Sequence, residues 1–310
     1  MPNRPLRHVV VAGGSIAGLL ATRVLSDHFE QVTLVERDTR ARTPEPRKGV
    51  PQGRHPHALL LRGRAIFESL FPGLAGALCE AGAVLVGSGR EFAWHHAGSW
   101  RVQFESDLAF LSMTRPLLES RIAERVSALP NVRVLEGARV NNLQFDKDGN
   151  VRGVHVDRPT NSGATGVIEA DLVVDATGRG SATPQWLSEC GLAPPPTELL
   201  KAPVVYATCT FRRTDYPPHW RTLIVTGAPA KRTSFILPVE GDRWLVMLAS
   251  FFDEPSPRDH GAFLEAARSL PVPDIYDVIR DCEPLSEIVQ YRFGGSQRRR
   301  YERRVLGQHR

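Results

Sequence analysis

The segment VVVAGGSIAGLL at residues 9–20, followed by VTLVER at residues 32–37, constrains this 310-residue chain more than any other feature. His8 to Ala12 is a short β-branched run, the signature of a buried parallel strand. Gly13 to Gly18 reads as a turn leading into a helix that runs to about Asp27. Leu19, Leu20, Val24 and Leu25 on that helix are suited to packing on a sheet, and Val32 to Glu36 reads as the second strand. The turn follows the pattern G-x-G-x-x-G with Ser15 at the middle glycine. Such a turn must be tight at Gly13, let a ligand approach the backbone near Ser15, and bring helix and strand close at Gly18. N–H groups at the helix start and the positive end of its dipole then favour a diphosphate. Glu36 follows Gly13 by 23 residues and is placed to accept hydrogen bonds from ribose hydroxyls. A carboxylate there disfavours a ribose 2′-phosphate, because like charges would meet, and so leaves NAD or FAD as the nucleotide.

Composition agrees with a folded α/β protein. Hydrophobic residues make up 42% and charged residues 24%, enough apolar material for one large domain or two ordinary ones. The net charge of +5 would ordinarily raise an acidic partner. Its distribution argues otherwise, because residues 292–310 hold seven Arg (292, 298, 299, 300, 303, 304 and 310) against Glu302, and the body of the chain is nearly neutral. That Arg run carries no interleaved stacking aromatics apart from Tyr301, so a solvated segment outranks a nucleic-acid tail. Four cysteines at 79, 190, 209 and 282 form no C-x-x-C pair, and no His/Cys cluster has metal spacing. No metal and a reducing, cytoplasmic setting are therefore expected. Arg4 and Arg7 before the apolar run imitate a signal peptide, but Gly13-Gly14 would interrupt its helix. No apolar run approaches the roughly 20 residues of a membrane span.

Further along, residues 37–56 form a long Pro-, Arg- and Gly-rich loop of the kind that carries function. Ala58 to Leu70 and Pro116 to Ala128 read as helices, and residues 91–104 as a hairpin. Strands are expected at 132–136, 138–145 and 151–156, with a turn at Asp148-Gly149-Asn150, and again at Leu172 to Asp175. Beyond Pro194-Pro195-Pro196, segments 203–212, 221–227, 233–238 and 243–250 read as successive antiparallel strands. Helices at 258–270 and 274–282 and an apolar stretch at 288–293 follow. The expected organisation is a Rossmann-like α/β domain with a parallel central sheet (1–90 and 107–196), a mostly antiparallel sheet domain (91–106 and 197–291) and a basic segment (292–310).

Four segments in order resemble the FAD-dependent monooxygenases of the p-hydroxybenzoate hydroxylase type. GGSIAGL with VTLVERD is similar to the family's adenine-nucleotide fingerprint, which implies Gly13, Gly14, Ser15, Ala17, Gly18, Glu36 and Arg37 as cofactor-binding residues. PRKGVPQGRHPHALL resembles the loop from which an Arg reaches FAD, matching Arg47, and MTRPLLESRI resembles the R-x-x-L-E segment, matching Arg115. ADLVVDATGRGS resembles the second fingerprint, implying Asp175, Thr177 and Gly178, with Thr177 where the family usually has Asp. Asp175 and Thr177 also read as a strand-end turn cap.

The resemblance implies FAD as cofactor and NAD(P)H as transient co-substrate. The nicotinamide nucleotide would reduce the flavin, and oxygen would supply the atom passed to an electron-rich, hydrophobic or aromatic small molecule, by hydroxylation or epoxidation. No catalytic residue is assigned. The alternatives are a flavin-dependent C=C reductase of the isoprenoid-reductase type, or a non-catalytic nucleotide-binding fragment. The W-x-W-x-I-P segment of flavin halogenases is absent. The family's third segment, G-D-A followed by Pro and a Gly-rich helix start, is expected beyond YERR, where Gly307-Gln308 does not match it. A C-terminally shortened chain of this kind is expected to expose apolar sheet surface and bind FAD weakly. Among the remaining residues, His55 and His57 read as loop or helix-cap groups. His95-His96 beside Trp94 and Trp100 read as hairpin packing, and Phe235, Trp244 and Met247 as core, with a cavity wall the sharper option.

Overall fold

The computed structural model describes residues 7–41, 43–157, 165–217, 219–227 and 231–303. Arg4, Arg304, Gly307, Gln308 and Arg310, all named above, lie outside the described residues. The architecture is mixed α/β, with one parallel sheet and several antiparallel ones.

The chain opens with β1 (His8–Ala12), α1 (Ile16–Leu25) and β2 (Gln31–Glu36). Next come β3 (Ala58–Leu59), α2 (Leu61–Leu70), α3 (Leu74–Glu80), β4 (Val84–Gly87), β5 (Phe92–His96), β6 (Ser99–Trp100) and β7 (Ala109–Ser112). After α4 (Arg115–Ser127) come β8 (Val132–Glu136), β9 (Arg139–Phe145), β10 (Val151–Asp157), β11 (Thr165–Glu169), β12 (Leu172–Asp175) and α5 (Thr183–Glu189). The remainder is β13 (Thr197–Leu200), β14 (Val204–Arg212), β15 (Thr222–Thr226), β16 (Arg232–Val239), β17 (Arg243–Phe251), α6 (His260–Arg268), α7 (Asp274–Ile279), β18 (Val289–Phe293) and β19 (Ser296–Arg299).

Two compact units divide these elements. The first comprises residues 1–50, 119–199 and 297–310, and the second residues 51–118 and 200–296. Residues 51–90 and 107–118, which the sequence groups with the nucleotide half, cluster with the second unit.

In the first unit a parallel sheet runs β12-β1-β2-β8. Val9, Val10 and Val11 are wholly buried, as a strand covered on both faces requires. Val10, Ala12 and Val35 pack with Leu135, Val140, Val154, Val156 and Trp186 into the core of this unit. The segment 132–136 is a strand, as expected. It joins β2 in parallel, Leu34 opposite Val134, and only β9, β10 and β11 form the antiparallel sheet. Ser296–Arg299 is part of a two-stranded ladder with β13, so the start of the Arg-rich segment is structured. Arg298 pairs with Glu302 at 2.9 Å and Arg300 with Glu198 at 3.5 Å.

The second unit centres on a seven-stranded sheet, β18-β14-β17-β16-β15-β5-β6. Its strands lie near the expected positions, but their order is not sequential. β17 sits between β14 and β16, and β15 pairs with β5 in parallel. One face, with Cys209, Phe211, Val246 and Leu248, packs on Phe263, Ala266 and Ile275 of α6 and α7. Trp244 belongs to that packed face, which is the core role read from its alternation. The opposite face gathers Met247, Tyr206, Phe235, Phe251 and Phe293. A smaller sheet, β3-β7-β4, starts where the sequence suggests the beginning of a helix, so α2 begins at Leu61 and not Ala58. The expected hairpin at 91–104 is confined to β5 and β6, with His95 opposite Trp100.

Candidate functional site

The strand–turn–helix of the first unit is built on close approaches that exclude side chains. Gly13 adopts φ +98°, and a Cβ there would lie 2.6 Å from the Ala176 carbonyl oxygen. A Cβ on Gly18 would stand 1.7 Å from the Gly13 carbonyl oxygen, so β1 and α1 meet at a distance only hydrogen permits. Ser15 is the residue before α1, in extended conformation, and its side chain does not cap the helix. The first turn of α1 therefore keeps its N–H groups without a side-chain cap, as an anion-binding helix start requires. Ala17, in that turn, is exposed.

Glu36 closes the turn from the end of β2. Its carboxylate is buried and accepts from the Gly14 N–H at 2.6 Å and the Asp38 N–H at 2.9 Å. Arg47 lies beside it. Its Nη1 is 3.4 Å from Glu36 and 3.2 Å from Asp38, and its Nη2 donates to Glu119 at 2.9 Å. Burial works against the Arg47 charge, but the Glu119 hydrogen bond and the charges of Glu36, Glu119 and Asp38 outweigh it and hold the guanidinium above its ordinary pKa. Arg37, the neighbour of Glu36, is exposed.

Three participants were given no role in the sequence reading, although Glu119 is the acid of the quoted R-x-x-L-E segment. Arg40 donates through Nη2 to the Gly14 carbonyl at 2.5 Å and pairs with Glu136 at 3.2 Å. Burial and the neighbouring Arg47 lower its pKa. Asp38 accepts from the Gly49 N–H at 2.9 Å and so folds the loop back on itself. Glu119 is buried on α4 and accepts from the Ser15 hydroxyl at 2.6 Å. Glu119 did have a sequence signal: it shares a helical face with Ile122, Ala123 and Val126, all buried, and a carboxylate in such a stripe needs a partner.

At the end of β12, Asp175 serves its own turn. It accepts from the Thr177 N–H at 2.9 Å, the Thr177 hydroxyl at 2.5 Å, the Thr183 hydroxyl at 2.6 Å and the Ser181 hydroxyl. Burial opposes the Asp175 charge, yet these hydrogen bonds hold the carboxyl below its ordinary pKa. Gly178 takes φ +79°, which lets the chain reverse after Thr177.

The second unit brings together the histidines and Arg115. His55 is buried with Nδ1 2.7 Å from the Thr208 hydroxyl, and its ring lies near Tyr206 and Tyr291, which stack on each other across β14 and β18. His57 donates from Nδ1 to the His55 carbonyl at 2.8 Å, and Arg115 approaches its Nε2 at 3.4 Å. His95 packs edge-on against Trp100, and Trp94 donates to the Thr226 hydroxyl at 2.9 Å. An open cleft of about 630 Å³ lies elsewhere in this unit, lined by Phe104, Tyr216 and Trp220 together with Arg90 and Arg221. Those two cations are paired with Glu105 and Glu91.

Burial pushes the His55 imidazole down to about pH 4 from its ordinary value of 6.5, with His57 and Arg54 adding to the shift. Above pH 6.5 folded and unfolded chains both carry this residue neutral. As pH falls from 6.5 towards 4 the unfolded chain gains the proton first, so stability is lost through that window and levels off below it. The full effect is about 3 kcal/mol. Urea unfolding at pH 7.5 and pH 4.5 is expected to show that loss in the native chain and a markedly smaller one in His55→Gln.

Among the described residues, no three His, Cys, Asp or Glu are placed to hold a metal ion, and no helix is long and apolar enough to cross a membrane. No family model matches the sequence. Protein Rv3254 of Mycobacterium tuberculosis (strain ATCC 25618 / H37Rv) is 38% identical over 221 residues, which are 68% of this chain and 46% of that protein. The match thus spans less than half the length of that curated relative. Among solved structures, p-nitrophenol 4-monooxygenase PnpA from Pseudomonas putida DLL-E4 aligns with a TM-score of 0.69 at 17% identity, covering 94% of this chain and 69% of PnpA. The fold is that of the flavin-dependent monooxygenases. A flavoprotein/dehydrogenase from Cytophaga hutchinsonii shares it at TM-score 0.67 and 17% identity, over 93% of this chain and 66% of its own. So does CmlS, a flavin-dependent halogenase, at TM-score 0.65 and 17% identity, over 96% of this chain and 51% of its own.

Proposed function

We propose that this chain is an FAD-dependent oxidoreductase whose first unit holds the cofactor's adenine half. The observation that carries the reading is the uncapped start of α1 beside a turn at which Gly13 and Gly18 leave no room for a side chain. Ser15, Ala17 and Gly18 would face the diphosphate through backbone N–H groups, since the Ser15 hydroxyl gives its single proton to Glu119, while Gly13 and Gly14, whose N–H groups are taken by the Val35 carbonyl and Glu36, would serve by letting it approach the backbone. Glu36, with Arg37 beside it, would take the ribose hydroxyls. Arg47 brings positive charge to the turn, and Arg115, Asp175, Thr177 and Gly178 are proposed for the rest of the cofactor. The residues present fit the group: a glycine turn, a helix start that the Ser15 side chain does not cap and an acid at the end of the second strand are its ordinary requirements.

When bound, the flavin supplies electron transfer and oxygen activation, and the protein's part is to bind, orient and keep water away. The reaction we propose is NAD(P)H-driven monooxygenation of a hydrophobic or aromatic small molecule. In support, one face of the seven-stranded sheet collects Tyr206, Phe235, Met247 and Phe293, an apolar and aromatic surface of the composition that small-molecule sites have. Purified protein is expected to release FAD on heating and to oxidise NADH or NADPH faster when an aromatic substrate is present. An absence of flavin, together with failure to take it up, would contradict the proposal. Reduction of a C=C bond without oxygen consumption would identify a reductase instead.

A further inference from the structure

Glu119 is buried on α4, yet it binds side chains from distant parts of the sequence. The Ser15 hydroxyl, 104 residues away, donates to Oε1 at 2.6 Å, and Arg47, 72 residues away, donates to Oε2 at 2.9 Å. One carboxylate therefore ties the entrance of α1 to the guanidinium of the 37–50 loop. The other Arg47 nitrogen, Nη1, is held between Glu36 and Asp38, so the planar fork is fixed at both ends in one orientation. Loops position charge poorly unless supporting hydrogen bonds lock their rotamers. Here the support comes from a helix, and it also fixes the residue at the mouth of the turn.

We propose that Glu119 is the positioning residue of the dinucleotide site, holding Ser15 and Arg47 in the places from which the turn meets a diphosphate. This rests on the nucleotide reading above and adds to it a residue that need not touch the cofactor. Glu36 and Asp38 hold Arg47 from the other side, and their carboxylates take backbone N–H groups, those of Gly14 and Asp38 for Glu36 and that of Gly49 for Asp38, whereas Glu119 takes the Ser15 hydroxyl. Glu119 alone among these acids joins the loop arginine to the α1 entrance through side chains.

The test is titration of the 310-residue chain with FAD and, separately, with ADP, which carries the diphosphate without the flavin. Glu119→Gln keeps the size of the side chain and removes its charge. It is expected to weaken both ligands ten- to a hundredfold, the range for losing a hydrogen bond to a charged group, while the melting temperature moves by only a few degrees. In an Arg47→Lys background, where the forked pair is already gone, the same change is expected to cost less than threefold. A merely structural role would not produce that dependence on Arg47. If Glu119→Gln does not fold, Glu119→Asp takes its place in the cycle, keeping the charge but shortening the reach. Binding by Glu119→Gln within twofold of the native chain, or an equal loss in both backgrounds, would overturn the proposal. A native chain that binds neither FAD nor ADP would overturn the nucleotide reading itself, a result distinct from failure of the variant alone.

Discussion

Gly18→Ala is expected to destabilise the first unit by about 4 kcal/mol. The added methyl would stand 1.7 Å from the Gly13 carbonyl oxygen and 2.9 Å from the carbonyl carbon. Both atoms are backbone, so no side-chain rotation can relieve the clash. Relief would require α1 to move off β1, where Leu19 and Thr22 of the helix are wholly buried. The usual preference of helices for alanine over glycine, about 1 kcal/mol, is outweighed. Urea unfolding followed by circular dichroism measures the effect. A variant as stable as the native chain would mean that the turn is looser than described.

Arg47→Met is expected to cost about 3–5 kcal/mol at pH 7.5, the range for removing one partner of a buried ion pair. Arg47 is the cation within 3.4 Å of Glu36, Asp38 and Glu119, whose side chains are 7%, 16% and 7% exposed. Its removal leaves three desolvated carboxylates close together without the charge they share. Protonation relieves that repulsion, so the penalty relative to the native chain should shrink as pH falls towards 5. Unfolding both proteins at pH 7.5 and pH 5 tests size and sign together. A penalty that grew on acidification would contradict the assignment of Arg47 as the counter-charge.

Where sequence reading succeeded, the determinants are local. His8–Ala12 has the expected bounds because a β-branched run ending in Gly-Gly carries both its structure and its stop. Strands β14 to β17 lie within two residues of their expected ends for the same reason. Pairing is not local. Nothing in VRVLE says that it lies beside β2 in parallel, and nothing in the alternation of β15 and β5 says that they run in the same direction. The short strand Ala58–Leu59 was hidden because two residues carry no period, and the helix after it supplied the stronger signal.

The site divides along the same line. The glycine turn and Glu36 were legible because the motif is contiguous or one strand away. Arg40 and Asp38 lie in a loop whose geometry depends on what it folds against, so neither could be told from other charged loop residues. Glu119 was legible in principle, as an acid in an apolar stripe, but its partners at 47 and 15 are visible only through space. Asp175 shows the same. Its place at a strand end reads both as a ligand contact and as a turn cap, and the hydroxyls of Thr177, Ser181 and Thr183 that its carboxylate accepts from come together only in the folded turn.

The central claim is that the turn at Gly13–Gly18 holds the adenine half of FAD, and titrating flavin-free protein with FAD tests it most directly when ADP is present as competitor. One FAD should bind per chain, with flavin fluorescence changing to saturation. ADP should displace it, and Gly14→Val should abolish the binding, because a side chain there meets Glu36 and Arg40 within 3 Å. No saturable binding, or binding indifferent to both ADP and Gly14→Val, would contradict the account.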